Sequence, residues 1–341
     1  MLTRPRNKVG EAYAGQSGWP GFDRVRQPII LLLLVLFISA CSQQPDPSLR
    51  LGTNVWPGYE PLYLAEQLGY FPQGAIDLVE YLSASEVIRA FRNRSIEAAA
   101  LTLDEVLNLI EQKIRMKIIL VTDVSNGGDA ILARPKIKEF ADLAGKRVGV
   151  EGGALGAYVI TRALDMHDLS LDALQIVQLE VSEHERAYKE REVDAVVTFE
   201  PVRSKLIAMG AKELFTSREI PNEIVDVLVV HHHYTEDHPE LISSLIDGWF
   251  KALDYLRQHP EDAAARMSAR LGQSPDDVLQ SYDGLTLPSR EENLMLLGGN
   301  QPRLLEILER LQQIMLSKEL LKTPVPLDGV LDTVGLPASG Q

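Results

Sequence analysis

The chain has 341 residues, 45% of them hydrophobic and 24% charged, with 24 Gly and 19 Pro, which excludes collagen-like, coiled-coil and wholly disordered classes. Its 34 Lys and Arg stand against 48 Asp and Glu, and beyond residue 40 the balance is 29 basic to 46 acidic, a net −17. A body this acidic is a poor ligand for a phosphate backbone, whose binding draws on Lys and Arg displacing counterions, so nucleic acid is excluded as a partner.

The chain opens on an address. Residues 29–38 are ten consecutive apolar residues, too few for a membrane-crossing helix of about 20, which excludes a polytopic channel or transporter. Arg4, Arg6, Lys8, Arg24 and Arg26 precede the run, and Ile38-Ser39-Ala40-Cys41 follows it. That is the three-part pattern of a secretory signal, and its last four residues resemble a bacterial lipobox. Residues 1–40 are therefore expected to be a signal peptide and Cys41 the lipid-bearing first residue of the mature chain. The resemblance implies several acyl chains there, as stable anchoring requires. Cys41 is the only cysteine, so no intramolecular disulfide is possible. A mature chain of 301 residues has room for two hydrophobic cores.

After a tether at 41–48, short aliphatic runs alternate with amphipathic segments. Strands are expected at 49–55, 76–81, 98–101 and 117–123, with helices at 61–68, 84–93 and 103–112. The rhythm repeats with strands at 147–150, 174–179 and 195–199 and helices at 154–166, 183–191 and 202–209. A β-rich run at 224–232 follows, and the rest is helical, through 241–258, 260–271, 275–282 and 301–316. This alternation predicts an α/β protein with largely parallel sheets. Asp129–Ala133 and 226–230 read as two extended connectors crossing between lobes. Lobe 1 is then 49–131 plus 227–330, lobe 2 is 132–226, and 331–341 is a tail. Two lobes on a two-strand hinge close by a standard domain motion.

Four stretches carry a resemblance, in order: 56–65 (WPGYEPLYLA), 125–130 (SNGGDA), 143–150 (LAGKRVGV) and 197–201 (VTFEP). Together they resemble the periplasmic binding proteins of the nitrate/taurine/sulfonate ABC-importer family, with their thiamine-pyrimidine-precursor-binding relatives. The resemblance covers about residues 49–235. It implies the two-lobed periplasmic-binding-protein fold (type II), with ligand in the interlobe cleft. Ligands of open α/β sheets do sit beyond the carboxyl ends of strands, where these motifs fall.

Trp56 and Tyr59, in a Gly/Pro-constrained loop, offer aromatic walls to a planar or apolar ligand or cap the core. Residues 151–156 (EGGALG) run from strand into helix without matching G-x-G-x-x-G, and free amides at Gly153 and Ala154 suit an anion. Tyr158 adds a hydroxyl one turn on. Asn126, Asp129, Glu200 and Asp226 stand where loops leave strands; a carboxylate there pairs an ammonium or accepts from an amino-heterocycle. Helix capping is the rival role of Glu200, and Asp129 and Asp226 are also candidate hinge residues. The loops that carry these candidates offer no Lys or Arg directly for a bare nitrate or simple sulfonate, so among small polar solutes an amine-bearing one fits better: a sulfonate-type or other zwitterion, or an aminopyrimidine. His231-His232-His233 is not a metal site, because a strand turns its middle ring away and no cysteine or H-E-x-x-H completes a ligand set.

The expected function is a solute-binding lipoprotein, exported and membrane-anchored through Cys41, that hands a small molecule to an ABC permease and its ATPase. It is expected to act as a monomer without cofactor or metal. A ligand-sensing lipoprotein for a signalling partner is the alternative. Catalysis lacks a G-x-S-x-G or a free cysteine, and the thiamine-precursor-making enzyme implied by the resemblance draws on cysteines that this chain does not have.

Overall fold

The computed structural model describes residues 48–336. The expected signal segment, Cys41, the expected tether before Ser48 and the last five residues lie outside them. The first pass of the chain lays down β1 (Leu49–Thr53), β2 (Ile76–Glu80), β3 (Ala98–Thr102) and β4 (Met116–Ser125). Helices α1 (Glu60–Gln67), α2 (Ala84–Arg92) and α3 (Leu103–Glu111) link them. A middle pass builds β5 (Asp129–Ala133), β6 (Arg147–Val150), β7 (Gln175–Gln178), β8 (Ala195–Phe199) and β9 (Lys212–Thr216), with α4 (Leu155–Met166), α5 (Val181–Lys189) and α6 (Val202–Ala208). The chain returns through β10 (Val225–His231) and the short α7 (Tyr234–Asp237). It ends in α8 (Pro239–Gln258), α9 (Pro260–Leu271), α10 (Pro275–Ser281), β11 (Leu285–Thr286), α11 (Arg290–Leu297) and α12 (Arg303–Ser317).

Local signals start these helices. Proline opens α8, α9 and α10, where its missing N–H costs nothing. The Ser83, Ser274 and Ser289 hydroxyls accept from the amides of Glu86, Asp277 and Glu292 at the heads of α2, α10 and α11. Strands β3, β5 and β10 are almost wholly buried, as central strands should be.

Sheet A has the order β11-β4-β10-β3-β1-β2 and sheet B the order β7-β6-β8-β5-β9. Neither is largely parallel. Each has an antiparallel strand driven into it, β10 between β3 and β4 and β5 between β8 and β9. Both intruders have just arrived from the other sheet, so they run against their neighbours. The crossings therefore differ from those expected. Asp129–Ala133 and Asp226 belong to strands paired on both sides, and the chain crosses at 126–128 and 217–224. A run of five buried residues cannot serve as an exposed connector; the polar Asn-Gly-Gly ahead of it can. Sheet A thus takes 48–125 and 225–336, sheet B takes 129–216, and the expected boundaries fall inside β5 and β10. The crossings are tied to each other by the Ser125 and Ser217 hydroxyls, 2.8 Å apart, and by the Gly127 amide donating to Ser217 Oγ at 2.6 Å.

Apolar side chains form one cluster running from sheet A into sheet B, so the molecule does not have two separate cores of equal size. A small second cluster around Ala130, Leu132, Tyr188 and Leu206 serves the far side of sheet B. The fully buried Trp249 anchors α8 in the main cluster.

The outer edge of β4 is covered in three pieces. β11 pairs with it at Val124 and Ser125, and residues 330–332 pair with Ile118, so the expected tail begins inside the fold. Between them the buried Asn293 side chain on α11 takes the place of a strand. Its Oδ1 accepts from the Val121 amide at 2.7 Å, and its Nδ2 donates to the Val121 carbonyl at 3.0 Å. An edge left bare would be a template for pairing with other chains. Asn293→Ala should therefore cost roughly 2 kcal/mol. Urea unfolding should show a lower midpoint at unchanged slope.

Candidate functional site

Three neighbouring strands of sheet A bring polar groups into one row. Register sets Asp226 of β10 opposite Thr102 of β3 on one side and Asp123 of β4 on the other. Beyond β1 the chain makes a single 3-10 turn, Pro57–Tyr59, that lays two aromatics over this row. Trp56 Nε1 donates to Asp123 Oδ2 at 3.2 Å, and the Tyr59 hydroxyl donates to Asp226 Oδ1. Gly58 is needed where they meet: a Cβ there would lie 2.0 Å from Asp123 Oδ2 and 2.4 Å from Trp56 Nε1. Thr102 begins α3 with a capping box, its amide donating to Glu105 at 3.0 Å and its hydroxyl to Asp104 at 2.7 Å.

Sheet B closes the other wall. Asp129 at the head of β5, Phe199 at the end of β8 and Leu155 at the head of α4 face Asn54, Trp56, Tyr59, Ala84, Thr102, Glu105 and Asp226. Phe199 meets Trp56 edge to face, ring centroids 5.6 Å apart at 89°. The space between the walls is about 20 Å³ for the centre of a water-sized sphere, room for about one water. Two hydrogen bonds cross it at its margin: Leu155 N–H donates to Glu105 at 3.2 Å and Ser85 N–H to Glu151 at 2.9 Å.

No Lys or Arg lines this cavity. Asp104, Glu105, Asp123, Asp129 and Asp226 are all buried at or beside it. Burial raises each of them, to about 6 for Asp104, about 8 for Glu105, about 7 for Asp123 and Asp129, and well above the carboxylate range for Asp226. Neighbouring carboxylates push Glu105 and Asp226 further. Burial also raises Tyr59, next to Asp226. Asp129 Oδ2 and Asp123 Oδ1 are buried without a hydrogen-bond partner. The arrangement is a small aromatic box with spare acceptor capacity and no cation in its lining, Arg203 bearing on Asp129 from outside it.

Of the residues singled out from sequence, Trp56, Tyr59 and Asp129 line the cavity. Asp226 lines it too, although it was expected at the hinge. Asp129 begins β5 directly after the first crossing, and Asp226 is the second residue of β10 after the other. Asn126 is exposed in the crossing. Gly153 is also exposed and Ala154 is the N-cap of α4; the amide that emerges from that helix is Leu155's, and it meets Glu105 rather than open space. Tyr158 donates to Glu223 at 2.6 Å, beside the Arg162–Glu223 ion pair. Glu200 takes its capping role: it accepts from Ser204 N and Oγ and pairs with Arg203 at 2.9 Å. In the histidine run, His231 stacks on Phe91 at 4.1 Å. Sequence reasoning passed over Asn54, Ala84, Thr102, Glu105, Asp123 and Leu155. The signal for the Thr102/Glu105 pair was present, as T-x-x-E between a strand and a helix; Asp123 gave none.

These raised carboxylates hold protons in the folded state that they lose when unfolded. Their contribution to stability is full below about pH 4 and is lost as pH rises through about 6–8. Unfolding midpoints should therefore fall between pH 6.5 and 8.5. The double variant Glu105→Gln/Asp129→Asn should flatten that slope. His184, buried and lowered to about 4, acts below this window and in the opposite direction.

Residues 42–272 match the NMT1-like family. The taurine-binding periplasmic protein of Escherichia coli (strain K12) is 21% identical over 220 residues, which is 63% of this chain and 67% of that one. A Brucella abortus (strain 2308) protein named as a binding protein is 22% identical over 157 residues, 44% of this chain; the match spans 48% of that relative, about half its length. Among solved structures, the alkanesulfonate-binding protein SsuA from Xanthomonas axonopodis pv. citri, bound to MOPS, superposes with a TM-score of 0.72 at 17% identity, covering 85% of this chain and 100% of that one. The desulfurization enzyme DSZB superposes at 0.62 with 20% identity, covering 84% and 97%. Likeness at this level of identity shows the fold, the two-lobed α/β fold of periplasmic binding proteins.

Proposed function

We propose that this chain, which belongs to the NMT1-like family, is the solute-binding protein of an ABC importer and takes a small solute that carries an ammonium or amidinium group. It works outside the inner membrane, held there by acyl chains on Cys41, and delivers its solute as a monomer to a permease and ATPase. The observation that carries the solute class is Asp129. Its carboxyl is 3% exposed, one oxygen has no partner, and it faces a cavity shared with Asp226 and Glu105 that no Lys or Arg lines. Arg203 bears on Asp129 from outside the cavity but is already paired with Glu200 and Glu213, so burying this carboxylate remains costly, and an arriving cation offsets that cost. Trp56, Tyr59 and Phe199 supply faces that suit a cation or a flat amino-heterocycle.

The relatives named for taurine and alkanesulfonate bind solutes with an anionic group. Here the α4 N-terminus, which would suit such a group, is already in contact with Glu105. A solute larger than a water needs the two walls to part. The crossings at 126–128 and 217–224, with Gly127 at φ +118° and Gly128 after it, are where the chain would bend. The DSZB fold also supports an enzyme; a turnover assay on the solutes that bind separates the two.

A thermal-shift panel tests the solute class. Primary amines and aminopyrimidines should stabilise the protein, by about 2.7 kcal/mol at a hundredfold excess over Kd, while alkanesulfonates without an amine should not. The reverse pattern overturns the reading. Asp129→Asn should weaken binding by roughly tenfold to a hundredfold, the worth of a charge-assisted hydrogen bond. Calorimetry should show affinity rising from pH 6 to 8, because the carboxyls must lose protons to meet a cation.

A further inference from the structure

The end of sheet A remote from the cavity has the opposite character. Arg92 and Arg94 close α2, Lys113 and Arg115 join α3 to β4, and Lys117 is the second residue of β4. None of the five takes part in an ion pair among the described residues, whereas Arg50 and Arg89 beside them pair with Glu97 and Glu86. Arg94 bears on His231 against Glu97, and Arg115 and Lys117 bear on His232 against Glu236, so cations outnumber carboxylates around this pair. Lys113, Arg115, Lys117 and His232 rim a hollow of about 400 Å³ floored by Ile114 and Met116, with Asp328 the carboxylate in its lining.

The chain enters the fold at this same end. The backbones of Arg50, Glu97 and His231 are joined in one row (Glu97 N–H to Arg50 O at 3.0 Å, His231 N–H to Glu97 O at 3.2 Å), and His232 N–H reaches Arg115 O at 3.3 Å. Seven residues, 42–48, separate Cys41 from β1. Fully extended they reach about 25 Å, so the basic end is the part of the body that the anchor keeps nearest the membrane.

We propose that this end of sheet A is a docking face for anionic phospholipid headgroups, laying the body on the bilayer with its cavity turned away. The net charge of −17 beyond residue 40 does not oppose this. At physiological salt, charge is screened beyond about 8 Å, and the lysines and arginines nearest the surface decide. The orientation rests on the anchor at Cys41 and is independent of the solute class.

The test uses the processed, lipid-anchored protein in vesicles. A donor fluorophore is placed on exposed His233 (His233→Cys) or on exposed Met295 (Met295→Cys), on the α11 side near the cavity, and the acceptor is on lipid headgroups. With phosphatidylglycerol present, transfer from position 233 should exceed that from 295 at least twofold, and the difference should vanish in phosphatidylcholine alone. It should also vanish in Lys113→Glu/Arg115→Glu and in Arg92→Gln/Arg94→Asn, the asparagine suiting φ +58° at position 94. Solute binding should remain at the parent level in both. Equal transfer from the two positions with phosphatidylglycerol, or an unchanged difference in both variants, overturns the docking face. If the mass shows no acyl chains on Cys41, the anchor falls instead. The face is then judged by co-sedimentation with phosphatidylglycerol vesicles, where a tenfold loss in the variants supports it and equal binding overturns it.

Discussion

Asp226 and Asp123 face each other across neighbouring strands, and Asp104, Glu105 and Asp129 crowd in around them away from water. Like charges this close in a low-dielectric place repel strongly, and directly opposed like charges weaken a sheet. The surrounding structure answers that repulsion with donors. Trp56 Nε1 and the Tyr59 hydroxyl turn inward, Thr102 offers both its amide and its hydroxyl, and the Leu155 amide brings the positive end of α4 to Glu105. Gly58 exists in its place so that the backbone can come this close. Retained protons do the rest. The group stays compact near neutrality, with acceptor oxygens to spare on Asp129 and Asp123.

That cluster depends on the chain visiting sheet B and coming back. Asp226 reaches its row because β10 inserts between β3 and β4 on the return, and Asp129 reaches the opposite wall because β5 inserts between β8 and β9 on the way out. Each crossing therefore ends in a carboxylate of the cavity. The serine pair 125 and 217 holds the crossings side by side. A movement about them would change the distance between Asp129 and the Asp226 row, so parting the walls would also separate the charges.

Charge is sorted along the length of sheet A. Carboxylates gather where β1, β3 and β4 end, and arginines and lysines without an ion pair among the described residues gather where β3 and β4 begin. The strands are short, so two fields of opposite sign sit on one small body. Its overall acidity, which is what composition reports, describes neither end.

Much of the fold was legible in the residues. The alternation of aliphatic and amphipathic runs located most elements to within a few residues, and the motif at 56–65 was a local signal. Missed were β9, α11 and the strand nature of Asp129–Ala133, since a short apolar run reads alike in a connector and in a central strand. The site was legible only where its residues cluster in sequence, as Trp56 and Tyr59 do. Asp123 lies in an almost wholly buried strand with no local mark of a site, and Glu105 sits in a T-x-x-E pattern, the mark of a helix cap, which it also is. What the sequence determined is what neighbours in the chain decide: periodicity, caps and turns. The meeting of Asp123 with Asp226, and of Glu105 with Leu155, was decided by strand register and by the approach of the two walls. Those are set by contacts between segments far apart in the chain, and local propensity carries no record of them.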